Sequence, residues 1–413
     1  MEVLKSIVII DDYAFINGGA ASVAIRSACY LADNTDKDVY YFSAVGPISD
    51  ELKGSNFKEI ICLEQYDILS NPNKGEAFLQ GIWNKKSKTE LTNFLVKLDS
   101  SSTIIHVHTW TKALSSSIFE AMEAGGFKVA VTLHDYFISC PNGGYFNYQK
   151  SEICNLKPMT INCILCNCDS RRYYFKIWRV ARQYIQNKNI LGNGYISYIY
   201  ISDFSKKQIE RRLALPNNKL IFVNNPVDFI NRYKVEASEN EMYMYLGRLS
   251  EEKGIRLFCE IVDSLGLDAV VIGDGPLYSE MKEKYDKRII FTGWLSKEQI
   301  KKYFDKTRAL IFTSLWYETL GLTVLEAMSY GIPCLVPDNC AASDLINNEN
   351  NGMLYSAGSK SSLIKVIDRM KEDDLVKLLS NNSYSGFDES KYSMNTHASN
   401  LISAYKSILS NKK

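Results

Sequence analysis

Two carboxylates flank the start of one helix in the second half of the sequence. Glu318 precedes and Glu326 follows a helix that the pattern places near Gly321, directly after an apolar strand. The first amides of a helix lack intrahelical partners, so those of Gly321, Leu322 and Thr323 can receive phosphate oxygens. Glu326, about 7.5 Å further along the axis, can accept bonds from a ribose, with Glu318 at the other end of an extended nucleotide sugar. Two solvated surface carboxylates are the alternative.

A cation pair and two glycines add to this site. Arg248 and Lys253 stand five residues apart, directly after a predicted strand. A planar guanidinium and a compact ammonium suit a diphosphate and the charge that grows on it as it leaves. Gly275 follows at the end of a further predicted strand, where the missing side chain permits close approach of a ligand. Gly293 ends the next predicted strand, where the backbone can read a base. Ordinary surface cations are the alternative for Arg248 and Lys253.

Together these motifs resemble the signature of glycosyltransferase family four, which contains retaining enzymes of the GT-B fold. The residues that carry the resemblance are Gly247-Arg248, Glu252-Lys253-Gly254, Gly273 to Pro276, Thr292-Gly293 and the array from Glu318 to Glu326. The resemblance implies a retaining transfer from a nucleotide-sugar donor by front-face attack, in which Arg248, Lys253 and Glu318 act without a catalytic metal. A nucleotide-sugar 2-epimerase of the same fold and a non-catalytic sugar-nucleotide-binding protein are the competing classes.

The first half contributes a glycine pair and three histidines at strand ends. The resemblance implies that Gly18 and Gly19 form the loop that closes on the donor phosphate and the acceptor, and a plain strand-to-helix turn is the alternative. It also implies that His134 lies beside the transferred sugar and supports developing charge. His106 and His108 resemble an upstream histidine motif of the family, and both are candidates for ligand contact. A histidine at a strand end is more often structural.

Short apolar segments alternate with amphipathic ones along the chain, which predicts an α/β protein with two doubly wound, Rossmann-like domains facing across a cleft. The predicted domains are an acceptor-side domain at 1–226, a nucleotide-sugar domain at 227–388 and a terminal helix at 389–413 that crosses back to the first domain. The predicted strands are 6–11, 39–43, 104–106, 128–132, 196–201 and 220–223, then 242–247, 268–273, 288–292, 309–312 and 333–336.

Five of the ten cysteines fall within an insertion at 140–168. Four of them have the spacing C-x13-C-x8-C-x2-C, and four thiolates with one close pair suit tetrahedral zinc. We therefore predict a structural zinc site at Cys140, Cys154, Cys163 and Cys166. Buried reduced thiols or an oxidised pair are the alternatives. The one D-x-D spacing, at Asp36 and Asp38, is interpreted as solvated charge and not as a metal site.

The segment 171–182 carries five cations among aromatic and apolar side chains. Such a helix suits peripheral contact with an anionic membrane surface, where lipid-linked acceptors reside. The alternative is a half-buried helix whose cations reach past its apolar face to water.

Charge and composition exclude several classes. The 413 residues contain 48 Lys and Arg against 47 Asp and Glu, so the chain lacks the cationic excess that nucleic-acid binding requires. No uncharged segment reaches the roughly 20 residues of a membrane-spanning helix. We expect a cytoplasmic protein whose partners are a nucleotide sugar and a glycan or lipid-linked acceptor, in bacterial surface polysaccharide synthesis.

Overall fold

The protein is described here by a computed structural model that covers residues 4–227 and 232–410. Two parallel sheets, each with helices on both faces, occupy the two halves of the chain. The segment Asn224-Asn225-Pro226-Val227-Asp228 contains the helix and strand breakers expected between the two predicted domains, and its last residue, Asp228, lies outside the described residues. No helix in the described ranges is both long enough and apolar enough to cross a membrane.

The first sheet has seven parallel strands, and a small antiparallel hairpin lies in the cysteine-rich insertion. The strands are β1 (Ser6–Tyr13), β2 (Asp38–Val45), β3 (Glu59–Cys62), β4 (Thr103–Val107), β5 (Lys128–Thr132), the hairpin strands β6 (Phe146–Asn147) and β7 (Glu152–Ile153), β8 (Ile196–Tyr200) and β9 (Leu220–Phe222). The sheet order is β3-β2-β1-β4-β5-β8-β9, so the chain reverses direction of winding between β1 and β4. Ligands of such sheets bind at the carboxyl ends of the strands near this reversal.

The helices of the first half cover that sheet. They are α1 (Gly19–Asn34), α2 (Asp50–Lys53), α3 (Lys74–Ile82), α4 (Lys85–Leu95), α5 (Ser117–Ala124), α6 (Ile161–Leu165), α7 (Tyr173–Ile190) and α8 (Asp203–Glu210). The sequence pattern predicts a helix near residues 112–124, but α5 begins only at Ser117, so the predicted start is wrong. The amides of 112–114 donate to the buried carboxylate of Asp12 instead of entering a helix.

The second sheet has six parallel strands in the order β12-β11-β10-β13-β14-β15. They are β10 (Met242–Leu246), β11 (Ala269–Ile272), β12 (Ile289–Gly293), β13 (Thr307–Ile311), β14 (Cys334–Pro337) and β15 (Gly352–Tyr355). The helices are α9 (Ile255–Ser264), α10 (Tyr278–Tyr285), α11 (Lys297–Phe304), α12 (Leu322–Ser329), α13 (Lys360–Arg369), α14 (Asp373–Ser385), α15 (Glu389–Tyr392) and α16 (Met394–Ser410). Sequence reasoning missed β3 and β15, which are four residues each and sit at the sheet edges.

The last helix, α16, packs on the first sheet. Tyr405 is fully buried, and its hydroxyl lies 2.6 Å from Nδ1 of His106 on β4. His397 lies 2.9 Å from the hydroxyl of Ser27 on α1. The crossing back of the terminal helix, which we expected from the fold class, is therefore made by buried polar contacts as well as apolar packing.

Candidate active site

The start of α12 is open to a ligand. Gly321 precedes the helix with φ of 86°, and no side chain caps the helix there. A Cβ at Gly321 would lie 2.7 Å from that of Ala342, so both the left-handed conformation and the packing require glycine. Leu322 and Thr323 are partly exposed, and their amides are the first of the helix. This helix start can bind phosphate oxygens, as the sequence predicts.

Lys253 and Glu318 form an ion pair at this helix start. The Lys253 ammonium donates to Oε2 of Glu318 in a very short contact, and both side chains are largely buried. The same carboxylate oxygen accepts from the indole N–H of Trp316 at 3.0 Å and from the hydroxyl of Ser314 at 3.3 Å. Sequence reasoning placed these two groups at separate parts of the ligand, whereas the structure places them side by side.

Arg248 stands exposed at the end of β10, and a glycine loop supports it. A Cβ at Gly275 would lie 2.4 Å from the carbonyl oxygen of Leu249, next to Arg248. The expectation that Gly275 makes room for a ligand therefore needs correction, because the space is filled by the backbone that follows Arg248. Gly293 has φ of 75° and its carbonyl accepts from Gly273, which ties the ends of β12 and β11 together.

Glu326 lies one turn into α12, away from Glu318. Its carboxylate is 3.7 Å from the ammonium of Lys297. Burial raises its pKa, while Lys297 and Arg26 of α1 oppose that shift. Arg26 belongs to the first half of the chain, so Glu326 faces a residue from the opposite side of the cleft.

The glycine loop before α1 meets α12 across the cleft. A Cβ on Gly19 would lie 3.4 Å from the side chain of Leu322, while Gly18 has nothing within 4 Å. The two predicted phosphate-binding features, from distant parts of the sequence, are therefore brought into contact. A larger side chain at Gly19 would press on the helix start.

His134 joins the site from β5. Its carbonyl oxygen accepts from the hydroxyl of Thr319 at 2.9 Å, which links the first domain to the Glu318 loop. Burial lowers the pKa of His134 to about 3, so the imidazole is neutral at physiological pH. A neutral ring acts as a hydrogen-bonding group and not as a fixed positive charge.

The two upstream histidines lie deeper. His106 is fully buried, and its ring nitrogens are 2.6 Å from the hydroxyls of Tyr405 and Thr132. It is therefore not available to a ligand, which corrects its candidacy as a site residue. His108 is 2% exposed and contacts His134, with Nδ1 and Nε2 separated by 2.9 Å. It reaches the cleft only through that neighbour.

Sequence reasoning missed two titratable groups of the first domain. Burial, assisted by Arg179, Arg182 and Arg248, lowers the pKa of Lys112 to about 8. Burial also raises the pKa of Asp135 to about 6, and its carboxylate accepts from the amide of Phe137. No sequence motif identifies Lys112. Its position depends on the segment after β4, whose backbone amides donate to the carboxylate of Asp12.

The cysteine-rich insertion does not assemble the predicted zinc site. Cys140 and Cys163 are buried and Cys154 and Cys166 are partly exposed, but no three His, Cys, Asp or Glu side chains in residues 4–227 and 232–410 are placed to hold a metal ion. A physical reason is Lys176, which is fully buried and donates to Sγ of Cys163 at 3.5 Å. An ammonium beside the sulfur atoms repels a divalent cation.

Asp36 and Asp38, the D-x-D residues, carry surface ion pairs. Asp36 contacts Lys37 at 2.8 Å and Asp38 contacts Lys58 at 3.3 Å. They lie at the amino end of β2, whereas the site lies at the carboxyl ends of the strands. Their position agrees with the interpretation as solvated charge.

Two Rossmann-like domains that face each other across a cleft, with a returning terminal helix, define the GT-B class of proteins. Solved structures share this architecture across the whole chain. HepE from Anabaena in complex with UDP and glucose superposes with a TM-score of 0.67 over 98% of this chain and 100% of its own, at 15% identity. WaaG, a glycosyltransferase involved in lipopolysaccharide biosynthesis, superposes with a TM-score of 0.64 over 96% and 99%, at 14% identity. These similarities confirm the predicted fold.

Sequence comparison agrees with the motifs of the second domain. Residues 228–386 match the family described as "Glycosyl transferases group 1". The match lies in the second domain, where the motifs show the same resemblance. The lipopolysaccharide 1,6-galactosyltransferase of Escherichia coli K12 is 28% identical over 183 residues, 41% of this chain and 50% of its own length.

A second relative is named for a different acceptor. The UDP-Gal:alpha-D-GlcNAc-diphosphoundecaprenol alpha-1,3-galactosyltransferase of Escherichia coli is 29% identical over 154 residues, 34% of this chain and 39% of its own length. The chain thus spans about half the length of the curated relatives it matches.

Proposed function

We propose that this chain is a retaining glycosyltransferase that moves a sugar from a nucleotide-sugar donor to a glycan or lipid-linked acceptor in bacterial surface polysaccharide synthesis. The observation that carries the proposal is the convergence of both domains on residues 318–323. A Cβ on Gly19 would lie 3.4 Å from the side chain of Leu322, and the carbonyl of His134 accepts from Thr319. The helix start and the loop that carries Glu318 are therefore next to the glycine loop and the His134 segment of the first domain.

Each group has a proposed role in the transfer. The amides at the start of α12 and the cations Arg248 and Lys253 bind the diphosphate and stabilise the charge that develops on it. Glu326 binds the ribose, and Glu318 the transferred sugar. The bond from the anomeric carbon to the phosphate oxygen breaks while the acceptor hydroxyl bonds to that carbon on the same face. The acceptor's proton passes to the departing diphosphate.

This chemistry requires no metal, since the protein's own cations and amides offset the charge of the leaving group. The relatives suggest which substrates to examine first. One of them is named for a UDP-linked galactose donor and a lipid diphosphate acceptor. We propose a UDP-sugar and a polyprenyl-diphosphate-linked sugar as the substrate classes of this chain.

The test is release of UDP from UDP-galactose and UDP-glucose, with and without a short-chain polyprenyl-diphosphate-linked N-acetylglucosamine, in EDTA. We expect acceptor-dependent release and an α-linked product by proton NMR. Release at the same rate without acceptor, accompanied by an epimerised sugar, supports the 2-epimerase instead. Binding of UDP without turnover of any sugar supports the non-catalytic class.

We further propose that the first domain contacts an anionic membrane through one surface, formed by residues 66–79 and 161–184. Ten of the sixteen exposed large apolar side chains in the described residues lie in these two segments, although the segments are a small part of the chain. The indole N–H of Trp178 donates to the carbonyl oxygen of Phe78. The hydroxyl of Tyr173 donates to the carbonyl oxygen of Ile164. These bonds join α3, α6 and α7 into one surface, which we call the α3–α6–α7 surface.

Charge favours a lipid occupant for this surface. Residues 157–190 contain seven Lys or Arg and one Asp, whereas the whole chain carries a formal charge of +1. The predicted membrane-facing set needs correction, however. Arg182 is buried and Arg179 pairs with the buried Asp169 at 2.7 Å, so neither is free to meet a lipid. Arg172 is exposed beside the apolar side chains, and so is Arg171, although Arg171 also lies 3.5 Å from Asp169.

Vesicle flotation tests the surface. We expect wild-type protein to float with vesicles of phosphatidylglycerol and phosphatidylethanolamine but not with phosphatidylcholine alone. The variant Arg171→Glu/Arg172→Glu/Ile177→Ser should lose most of this binding while keeping UDP affinity. Lys365→Glu/Lys377→Glu, two exposed cations on α13 and α14, is the matched control. Equal flotation of all three proteins contradicts the proposal.

A further inference from the structure

Three imidazoles form a column at the carboxyl ends of β4 and β5. The ring centroids of His106 and His108 are 4.1 Å apart, and those of His108 and His134 are 5.2 Å apart. His106 is fixed by two hydroxyl contacts, as described above. The contact of 2.9 Å between Nδ1 of His108 and Nε2 of His134 shares one proton between two neutral rings. The position of that proton decides what His134 presents to the cleft.

Two buried polar atoms beside this column have no hydrogen-bond partner among the described residues. They are Nε2 of His108, a residue that is 2% exposed, and Oδ2 of Asp11, a residue that is fully buried. Ile9 on β1 pairs with His106 on β4 in parallel register, so Asp11 and His108 lie side by side on the same face of the sheet. A buried donor or acceptor without a hydrogen-bond partner lowers the stability of the folded protein. Two such atoms side by side therefore indicate a hydrogen bond between them, with one shared proton.

The strand order gives the direction of the contact. β4 lies between β1 and β5. Nδ1 of His108 points toward β5, where His134 stands. The two nitrogens of an imidazole diverge widely, so Nε2 is directed to the other side, where β1 holds Asp11.

We infer that Asp11 and His108 are positioning residues that hold His134 in the tautomer with its proton on Nδ1. The neutral carboxyl group of Asp11 donates a hydrogen bond to Nε2 of His108, directly or through one water molecule, and keeps its proton. His108 then donates from Nδ1 to Nε2 of His134. His134 is left with an N–H donor at Nδ1 for an oxygen of the sugar or the diphosphate. The identity of that ligand rests on the proposed function, whereas the tautomer is a property of the free protein.

The surroundings of Asp11 favour its neutral form. The adjacent Asp12 accepts from three consecutive backbone amides, those of 112–114, at 2.8 to 2.9 Å, and these bonds stabilise its negative charge. A second charge beside it without solvent is unfavourable. Burial, followed by the charge of Asp12, raises the pKa of Asp11 well above its usual range. Oδ1 of Asp11 already accepts from the amide of Tyr13 at 3.0 Å, so Oδ2 is the atom that carries the proton.

Histidine tautomers in the full chain can be measured directly. The sequence has four histidines, so a long-range proton–nitrogen NMR spectrum of ¹⁵N-histidine-labelled protein contains few signals. His397 is an internal reference, because its Nδ1 lies 2.6 Å from the carbonyl oxygen of Asn224 and must be protonated to bond there. We expect His134 to show the same pattern, with a protonated Nδ1 and a bare Nε2. A protonated Nε2 on His134, or an averaged pattern, overturns the inference.

Two substitutions of His108 separate positioning from packing. His108→Asn retains an N–H donor where Nδ1 stands, whereas His108→Phe retains only the ring. We expect the His134 tautomer to persist in the first variant and to shift toward Nε2–H in the second. Sugar transfer should fall about tenfold or more in His108→Phe and stay within about threefold of wild type in His108→Asn.

The outcomes distinguish this inference from the proposed function. If the tautomer is as expected but no sugar is transferred by any protein, the transferase proposal fails and the hydrogen-bond chain stands. If transfer occurs and both variants keep the wild-type tautomer, the chain of donors is wrong. The wild-type spectrum alone tests the inference should either variant fail to fold.

Discussion

The two faces of the cleft differ in the charge and the burial of their functional side chains. On the second domain, the groups are charged and at least partly accessible, and they belong to two short stretches, 248–253 and 318–326. On the first domain, Asp11 and His106 are fully enclosed and His108 nearly so, and burial shifts the pKa of each toward its neutral form. One face is suited to bind and neutralise a diphosphate, and the other to hold a hydrogen-bonding group in one orientation. Substitutions on the two faces should therefore differ in what they damage.

The largest expected effect is at the ion pair of the second domain. Glu318→Gln removes a charge that Lys253, Trp316 and Ser314 all contact, so sugar transfer should fall about a hundredfold or more. The fold should be kept, because the side chain is not part of an apolar core. Initial rates of UDP release and a thermal melt measure the two effects.

A remote ion pair controls for loss of charge alone. Glu260 and Lys360 form an exposed contact on the outer face of the second domain. Glu260→Gln should leave transfer within about twofold, since exposed pairs contribute little. If Glu318→Gln melts far below wild type and Glu260→Gln does not, the second face is structural and the comparison fails.

The next effect concerns the start of α12. Gly321→Ala introduces a Cβ 2.7 Å from that of Ala342, in a backbone with φ of 86°. We expect a loss of about 1–3 kcal/mol in the free energy of unfolding and at least about tenfold weaker UDP binding. Denaturant unfolding and calorimetric titration with UDP measure these.

Gly192 provides the matched variant. It also has a positive φ, of 80°, but a Cβ there meets nothing within 4 Å. Gly192→Ala carries the conformational cost without the clash and lies outside the cleft. Equal loss of UDP affinity in the two alanine variants argues against a phosphate site at α12.

The same contrast explains what the sequence could predict. The motifs of the second domain depend on spacing along a few residues, so Arg248, Lys253 and the start of α12 were placed correctly at the carboxyl edge of the sheet. What spacing did not reveal was the direct contact between Lys253 and Glu318, which depends on how the loop after β13 folds back. Most strand positions followed from apolar runs. The edge strand β3 was missed because it begins with an exposed Glu59 and none of its four residues is fully buried, and β15 was missed as well.

On the first domain, local patterns were a weaker guide. His106 and His134 look alike in sequence, as histidines at strand ends, yet α16 buries the first and leaves the second at the cleft. The difference between the two histidines depends on the packing of a helix 299 residues further along the chain, because the hydroxyl of Tyr405 contacts Nδ1 of His106. The buried Lys176 likewise has no local signal, and it changes the interpretation of the cysteine spacing.

Lys112 gives a pH-dependent effect of intermediate size. Its pKa is lowered to about 8 by burial and by neighbouring arginines, so the ammonium is charged at pH 7 and largely neutral at pH 9. Arg248, a proposed diphosphate ligand, is among the cations that lower this pKa, so we expect Lys112 to contribute to the donor site. Affinity for UDP should then fall about three- to tenfold between these pH values as that charge is lost. Titration calorimetry at both pH values measures the change.

Lys112→Arg sharpens the assignment, because a guanidinium keeps its charge throughout this range. We expect its UDP affinity to be nearly independent of pH between 7 and 9. An unchanged pH dependence in Lys112→Arg assigns the titration to another group and removes Lys112 from the donor site.

The smallest effect is expected on the buried side of the comparison. Tyr405→Phe removes the hydroxyl that lies 2.6 Å from Nδ1 of His106 and leaves that nitrogen without a partner. The free energy of unfolding should fall by about 1–2 kcal/mol, while UDP affinity stays unchanged. Tyr303→Phe, a partly exposed tyrosine on α11, is the control and should change stability by less than about 0.5 kcal/mol. A loss of UDP affinity in Tyr405→Phe without loss of stability contradicts the division between the two faces, because the effect would then pass through the histidine column to the ligand and not through the packing of α16.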